Sequence, residues 1–290
     1  MIGVLGGGFG LYGHLAAIAG LGEPIDTLLR YKPIIETRSE LRPFLDAIRF
    51  VETEDELMRG VSILVLARRP QDNVETAMAL SRVHPDVLLV IEKPTGVDAR
   101  AAAQLHAMLD AAGAHYRTPY LFLYSGWTPL VAGACTRDIS IEWRFPRRQA
   151  GDSWKYDVHS GGGSLAYYFI HFLPLAILAV GSPEVRAFEV SRTDSSETVQ
   201  MHVAGPEGSL KVRFEVGEVE PVFTVRVGGA EVWTGATPFG PMPERGAPDP
   251  RIPVLQEFYR KEILQRGQLP SLQLPAINLW SRLEQLSVSI

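Results

Sequence analysis

Ile2-Gly3-Val4-Leu5-Gly6-Gly7-Gly8-Phe9-Gly10 is the stretch that decides the first half of the fold. A short apolar strand runs straight into glycines, and a helical stretch over 14–20 follows. Strand, glycine loop and helix in that order form the setting of a dinucleotide site. Glycine turns the chain tightly and lets a pyrophosphate approach the helix N-terminus, where free amides and the helix dipole favour an anion. The spacing fits the fingerprint loosely: Gly6-x-Gly8 puts Leu11 at the third glycine, whereas Gly8-x-Gly10 puts Gly13 there. Gly6, Gly8, Phe9 and Gly10 are therefore the loop residues expected at a cofactor, the alternative being a tight turn with no ligand.

Working outward, the pattern alternates strand and helix. Residues 25–29 and 48–51 read as strands two and three, and 61–67 is a continuous apolar run of the kind buried on both sheet faces. A helix over 72–84, another apolar strand over 87–91 and a helix over 101–112 complete a doubly wound parallel sheet with right-handed crossovers. From about residue 120 the texture changes. Segments 139–145, 184–191, 199–204, 209–216 and 223–227 alternate apolar and polar residues, with turn signals such as Gly205-Pro206-Glu207-Gly208 between them. They predict a mostly antiparallel sheet with one covered face, and a helix from about Gly163 to Val180 to cover it. Residues 237–253 read as an irregular loop, and 254–265 and 277–286 as closing amphipathic helices. The expected fold class is thus α/β plus α+β. Residues 1–119 form a Rossmann dinucleotide-binding domain, and 120–290 an α+β domain for substrate binding and oligomerisation, with the last helix free to pack back on the first domain.

Composition bounds the rest. A chain of 290 residues with 46% apolar and 21% charged content suits two globular domains. A net charge of −5 argues against nucleic-acid or anionic-membrane partners, which favour basic patches. The single cysteine, Cys135, excludes an internal disulfide framework and a thiolate metal cage; it reads as inert core in a reducing compartment. No basic n-region with a cleavage site precedes the first strand, and the apolar run 166–180 is short for a bilayer span, so a cytoplasmic protein is expected. His84, His106, His115, His159 and His202 show no metal-ligand spacing, and no metal is expected.

Two further stretches carry chemistry. Glu92-Lys93-Pro94 ends the fifth strand, at the sheet edge where ligands bind. Trp154-Lys155-Tyr156-Asp157, Gly161-Gly162-Gly163 and Ile170-His171 bring glycines, a helix start and an imidazole near one another, a setting for moving a proton on and off a polar substrate. His14 reads as structural. At the end of the second strand, where an acid often binds the adenosine ribose, this chain has Arg30 with Lys32 close by. A cation there suits a 2′-phosphate, which slightly favours NADP over NAD; the alternative is a solvated surface charge.

With those residues in hand, the chain resembles the glucose–fructose oxidoreductase and inositol dehydrogenase (Gfo/Idh/MocA) family over almost its whole length. The resemblance rests on 3–10 with His14-Leu15, on Ile91-Glu92-Lys93-Pro94, on 154–157 with the triple glycine and His171, and on 254–258 with the Gly267-Gln268-Leu269-Pro270 turn. It implies hydride transfer between NAD(P) and a carbon bearing a hydroxyl or carbonyl, commonly on a sugar or cyclitol. It implies that Lys93 polarises the reacting oxygen and helps hold the nicotinamide ribose, with Glu92 beside it, and that His171 carries the hydroxyl proton. The cofactor takes only a hydride, so the protein must manage the proton.

The departures matter as much. Tyr167 and Pro174 stand where the family usually has aspartates, and Arg68-Arg69-Pro70 with Asn73 stands where it has Thr-Pro-Pro and often a histidine. Tyr167 still donates a hydrogen bond or carries a proton, and Arg68 or Arg69 would hold an acidic substrate group. Arg68, Pro70 and Asn73 are expected on the cofactor side. Tyr124 and Trp127, just past the domain junction, are candidates to wall the substrate cleft; Trp154 and Tyr156 either touch substrate or pack the loop. A homodimer or homotetramer through the open sheet is expected. Two other readings remain beside the sugar dehydrogenase: a biliverdin-reductase-like reductase of a planar or imine substrate, and a nucleotide-binding sensor or scaffold that has lost turnover.

Overall fold

Short strands, continuously apolar only in the centre, build the first sheet: β1 (Ile2–Leu5), β2 (Ile25–Leu28), β3 (Ile48–Val51), β4 (Ile63–Leu66), β5 (Leu88–Ile91) and β6 (Tyr116–Arg117). All pair in parallel, in the order β3-β2-β1-β4-β5-β6. The side chains of Val4, Leu5, Leu64, Val65 and Leu66 are wholly buried, as expected of strands covered on both faces. Connecting helices are α1 (Ala16–Ala19), α2 (Lys32–Thr37), α3 (Glu54–Gly60), α4 (Pro70–Val83) and α5 (Ala99–Ala111). Thr53 caps α3 by accepting from the Glu56 amide, and Pro70 opens α4, where its missing N–H costs nothing. The order changes direction between β1 and β4, so the loops after those strands diverge and leave a crevice. This computed structural model describes residues 1–133, 137–147, 153–241, 244, 246–265 and 272–288; Cys135 and the 267–270 turn lie outside them.

The short helix α6 (Thr128–Ala132) leads to a second, six-stranded sheet of order β12-β11-β7-β10-β9-β8. Its strands are β7 (Arg137–Pro146), β8 (Glu184–Arg192), β9 (Ser196–Gly205), β10 (Gly208–Gly217), β11 (Val222–Val227) and β12 (Ala230–Gly235). Only β7 and β10 pair in parallel; the other ladders are antiparallel. Pro206-Glu207 forms the two-residue turn between β9 and β10. Alternation sorts the faces: Ile141, Trp143, Met201, Val212, Phe214 and Phe223 enter the core, while Glu142, Gln200, His202, Lys211, Arg213 and Arg226 lie along the open groove of the other face.

The core face is covered by a helical run that opens with a wide π-turn (Ser164–Tyr168), tightens over Phe169–His171 and ends as α7 (Phe172–Val180). Pro174 has no N–H to offer the Ile170 carbonyl, which fits the irregular first half. The stretch Val158–Val180 is long and apolar enough to cross a membrane by length and composition alone, yet 72% of its apolar window is buried inside the protein. Its burial against the sheet marks it as a core helix.

The compact units interleave in sequence where a single cut after residue 119 was expected. The first comprises Met1–Gly96, Gln104–Pro119 and Pro243–Leu269; the second comprises Val97–Ala103, Tyr120–Met242 and Pro270–Ile290. The helix that joins the first unit late is α8 (Ile252–Phe258) with the wide turn Tyr259–Leu264, through Gln256 on the Ala17 carbonyl and Tyr259 on His14. The last helix, α9 (Gln273–Val288), places Ile277, Trp280 and Leu283 in the core of the second unit.

Candidate functional site

The glycine loop of the first unit shows which glycines serve the fold and which do not. A Cβ on Gly6 would come within 2.3 Å of the Ala67 carbonyl oxygen, and one on Gly13 within 2.2 Å of the Phe9 ring. One on Gly10 would press on Ala67 and Val4. Packing therefore accounts for glycine at 6 and 13, and leaves little room for a side chain at 10. Gly8 is different: it is exposed, and a Cβ there would meet nothing within 4 Å. The chain after it winds into a wide turn, Gly10–Leu15, with the Leu11 amide bonded to the Gly8 carbonyl at 2.9 Å. Phe9 lies between Tyr12 and His14, with the Arg251 guanidinium 4.0 Å from its ring centroid. Phe9 is thus a packed anchor of the loop, held by a cation from the α8 end of the chain.

Beside this loop, three residues from three strand ends meet. Arg30 follows β2, Glu54 follows β3 and Arg68 follows β4. Arg30 Nη2 donates to Glu54 Oε1 at 2.7 Å, and Arg68 Nη1 lies 3.3 Å from Glu54 Oε2. Arg68 also donates to the Asp72 carbonyl and to the Thr76 hydroxyl. Asn73, which sequence places on the cofactor side, is almost wholly buried. Its Oδ1 accepts from the Arg68 amide at 3.0 Å, so it fixes the turn that presents Arg68. Pro70 is likewise buried at the start of α4. Lys32 lies over the Phe50 ring and near Glu36.

Glu92, at the end of β5, is also turned inward. Its Oε1 lies 2.8 Å from His14 Nε2, and His14 Nδ1 lies 2.6 Å from the Tyr259 hydroxyl. All three are buried, and burial next to the Glu92 carboxylate lifts the Tyr259 phenol well above its usual range. His14, read from sequence as structural, is the hub of this network. Glu92 therefore braces the strand end from which the half-exposed Lys93 projects. Two residues on, the Thr95 hydroxyl lies 3.1 Å from His106 Nε2, and burial lowers His106 to a pKa of about 4. Neither His14, Tyr259 nor His106 had a sequence signal as a partner of this turn, because each arrives from a distant segment.

In the second unit, His171 closes the tightened part of the long helix. It is buried, and its ring stacks on Phe122 at 4.9 Å with 25° between planes. Tyr167, one turn earlier, is half-buried, edge-on to Trp154 at 5.4 Å, with the Lys155 ammonium 5.5 Å from its ring centroid. A Cβ on Gly162 would collide with the backbone of Trp154 and Lys155, so that glycine seats the Trp154 loop against the helix start. Tyr156 lies under the Arg147 guanidinium. Tyr124 is half-buried. Trp127 departs from the expectation of a cleft wall: it is fully buried against Phe122 and Phe223, with Nε1 donating to the Pro238 carbonyl at 2.9 Å. It is a core residue. Among the described residues no group of His, Cys, Asp and Glu is disposed to hold a metal.

No family model and no curated protein matches the chain in sequence. Solved structures do match in fold. The WlbA dehydrogenase of Thermus thermophilus, in complex with NAD and UDP-GlcNAcA, aligns with a TM-score of 0.69 at 18% identity, covering 97% of this chain and 93% of that one. A myo-inositol dehydrogenase of Corynebacterium glutamicum aligns at 0.72 and 12%, covering 99% and 96%. Biliverdin reductase of Synechocystis, in complex with biliverdin and NADP+, aligns at 0.67 and 13%, covering 99% and 98%. At such identities the likeness is one of fold: the chain has the Gfo/Idh/MocA architecture.

Proposed function

We propose that this chain is an NAD(P)-dependent oxidoreductase that moves a hydride between nicotinamide and a carbon bearing a hydroxyl or carbonyl on a small polar, sugar-like substrate. The observation that carries the reading is Gly8. It sits past the C-terminal end of β1, beside the point where the strand order reverses, and no packing in the described residues explains its missing side chain. A loop bare for the approach of a ligand, with amides running into a helical turn, fits a dinucleotide pyrophosphate. The similar folds of WlbA with NAD and of biliverdin reductase with NADP+ support the same cofactor class.

The bound nicotinamide would supply or accept the hydride. Everything else falls to side chains. Lys93, braced through Glu92 and His14, is suited to polarise the reacting oxygen and hold the nicotinamide ribose. His171 is suited to take and return the hydroxyl proton, its ring held by the stack on Phe122. Tyr167, with a cation over its ring, occupies the place of the family's aspartate and would donate to a substrate oxygen where a carboxylate could only accept. The test is a titration with NADH and NADPH followed by nicotinamide fluorescence, then turnover screening with Lys93→Ala and His171→Ala. Binding of a dinucleotide with turnover lost in both variants supports the reading; no binding of either dinucleotide sinks it.

A reductase of a planar substrate is the second reading, favoured by the aromatic ledge of Trp154 and Tyr167. Oxidation of several sugars argues against it. The open face of the second sheet is the expected interface of a homodimer or homotetramer, and a sedimentation mass of one chain would remove that proposal.

A further inference from the structure

We propose that Glu54 determines the choice of dinucleotide and makes the protein favour NAD(H) over NADP(H). The inference rests on the oxidoreductase reading and deepens it. Read along the chain, Arg30 alone favours a 2′-phosphate. In the folded first unit Arg30 is not alone: Glu54 lies between it and Arg68, 2.7 Å from one guanidinium and 3.3 Å from the other. The three side chains follow β2, β3 and β4, whose C-terminal ends flank the glycine loop after β1. Because β1 and β2 separate β4 from β3, the Arg68–Glu54 contact must cross the ends of both strands. That is the side of the loop where the adenosine ribose lies in a doubly wound nucleotide fold. Tyr31, next to Arg30, packs against Gly7 of the loop, which fixes the triad to it.

The chemistry then decides. A carboxylate between two guanidiniums occupies the place where those cations would hold a phosphate, and a 2′-phosphate arriving there meets a like charge. A ribose 2′-hydroxyl brings no charge, and it can donate to the same carboxylate. Glu54 thereby does, from the third strand, what an acid at the end of the second strand does elsewhere. Arg30 and Arg68 hold and orient it; Asn73 in turn fixes the Arg68 turn.

Nicotinamide fluorescence titrations of the whole protein with NADH and NADPH, on wild type, Glu54→Gln and Glu54→Gln/Arg30→Gln, test this. Thermal unfolding of each confirms folding, and Glu54→Ser is a second replacement at the same position. Wild type is expected to bind NADH more tightly. Glu54→Gln is expected to shift the affinity ratio toward NADPH by about tenfold or more, and adding Arg30→Gln to abolish that shift. Wild type preferring NADPH, or an unchanged ratio in both Glu54 variants, overturns the proposal while leaving the oxidoreductase reading intact. Binding of neither dinucleotide by any of the proteins overturns both.

Discussion

His14 Nε2 lies 2.8 Å from Glu92 Oε1 in the interior of the first unit. The pair ties the helical turn after the glycine loop to the strand end that carries Lys93, and the Tyr259 hydroxyl completes it from the α8 end of the chain. With Nε2–H donating to the carboxylate, Nδ1 accepts from the phenol, and both ring nitrogens are satisfied.

Removing one partner of this pair leaves the other buried and unmatched. His14→Ala leaves the Glu92 carboxylate buried without its donor and is expected to destabilise the protein by roughly 1–3 kcal/mol, the usual penalty for a buried polar group left unsatisfied. Tyr259→Phe, which deletes one hydroxyl, is expected to cost about 1 kcal/mol. Urea unfolding monitored by tryptophan fluorescence measures both; equal, small effects would show that the network bears little load.

The glycines of the loop are expected to separate into two classes. Gly13→Ala drives a methyl into the Phe9 ring and should cost about 1–3 kcal/mol of stability. Gly8→Ala meets no protein atom, so its unfolding midpoint should match wild type while dinucleotide affinity falls. A Gly8→Ala protein that binds NADH and NADPH as wild type does would remove Gly8 from the cofactor site.

His106 makes stability depend on pH. Its ordinary pKa of 6.5 is lowered to about 4 by burial, partly opposed by Asp110. The unfolded chain therefore binds a proton that the folded one refuses, and stability falls as pH drops from about 6.5 toward 4. The full effect is on the order of 3 kcal/mol. Comparing urea midpoints at pH 7.5 and 5 in wild type and His106→Gln isolates it: the variant should lose less on acidification.

Trp127 is expected to act through packing alone. Trp127→Ala should destabilise by about 3–5 kcal/mol, as large core deletions do, and also strands the Pro238 carbonyl. At temperatures where the variant is folded, its dinucleotide titration should overlay that of wild type. A selective loss of substrate turnover in folded Trp127→Phe would instead return this residue to the substrate cleft.

The alternation of helix with apolar strand was legible because residues buried on both faces leave continuous apolar runs, as in β1, β4 and β5; β2 carries Asp26 and Thr27, and β3 exposes Arg49. The amphipathic strands of the second sheet were legible for the complementary reason: one face meets α7 and the other stays polar. Strand β6 was missed because two paired residues carry no period, and β12 because its alternation is weak and its residues are largely exposed. In the candidate site, Gly6, Gly8, Gly10, Lys93 and His171 stand out by type and position. Their supports do not. Glu92 looks in sequence like a ligand-facing acid and is instead held by His14; Asn73 looks like a cofactor contact and instead fixes a turn; Trp127 looks like a wall and is core.

By itself, then, the sequence determined the two sheets, the glycine loop and the residue types at the strand ends, because each of these is written in local periodicity and in backbone freedom. Only the tertiary structure decided which charges meet. Along the chain Arg30 has only another cation, Lys32, close by; folding brings Glu54 from 24 positions away and Arg68 from a strand end beyond it. Coulomb interactions depend on distance in space, and the side chains that set the character of each ionisable group here arrive through strand order, which no window of sequence contains.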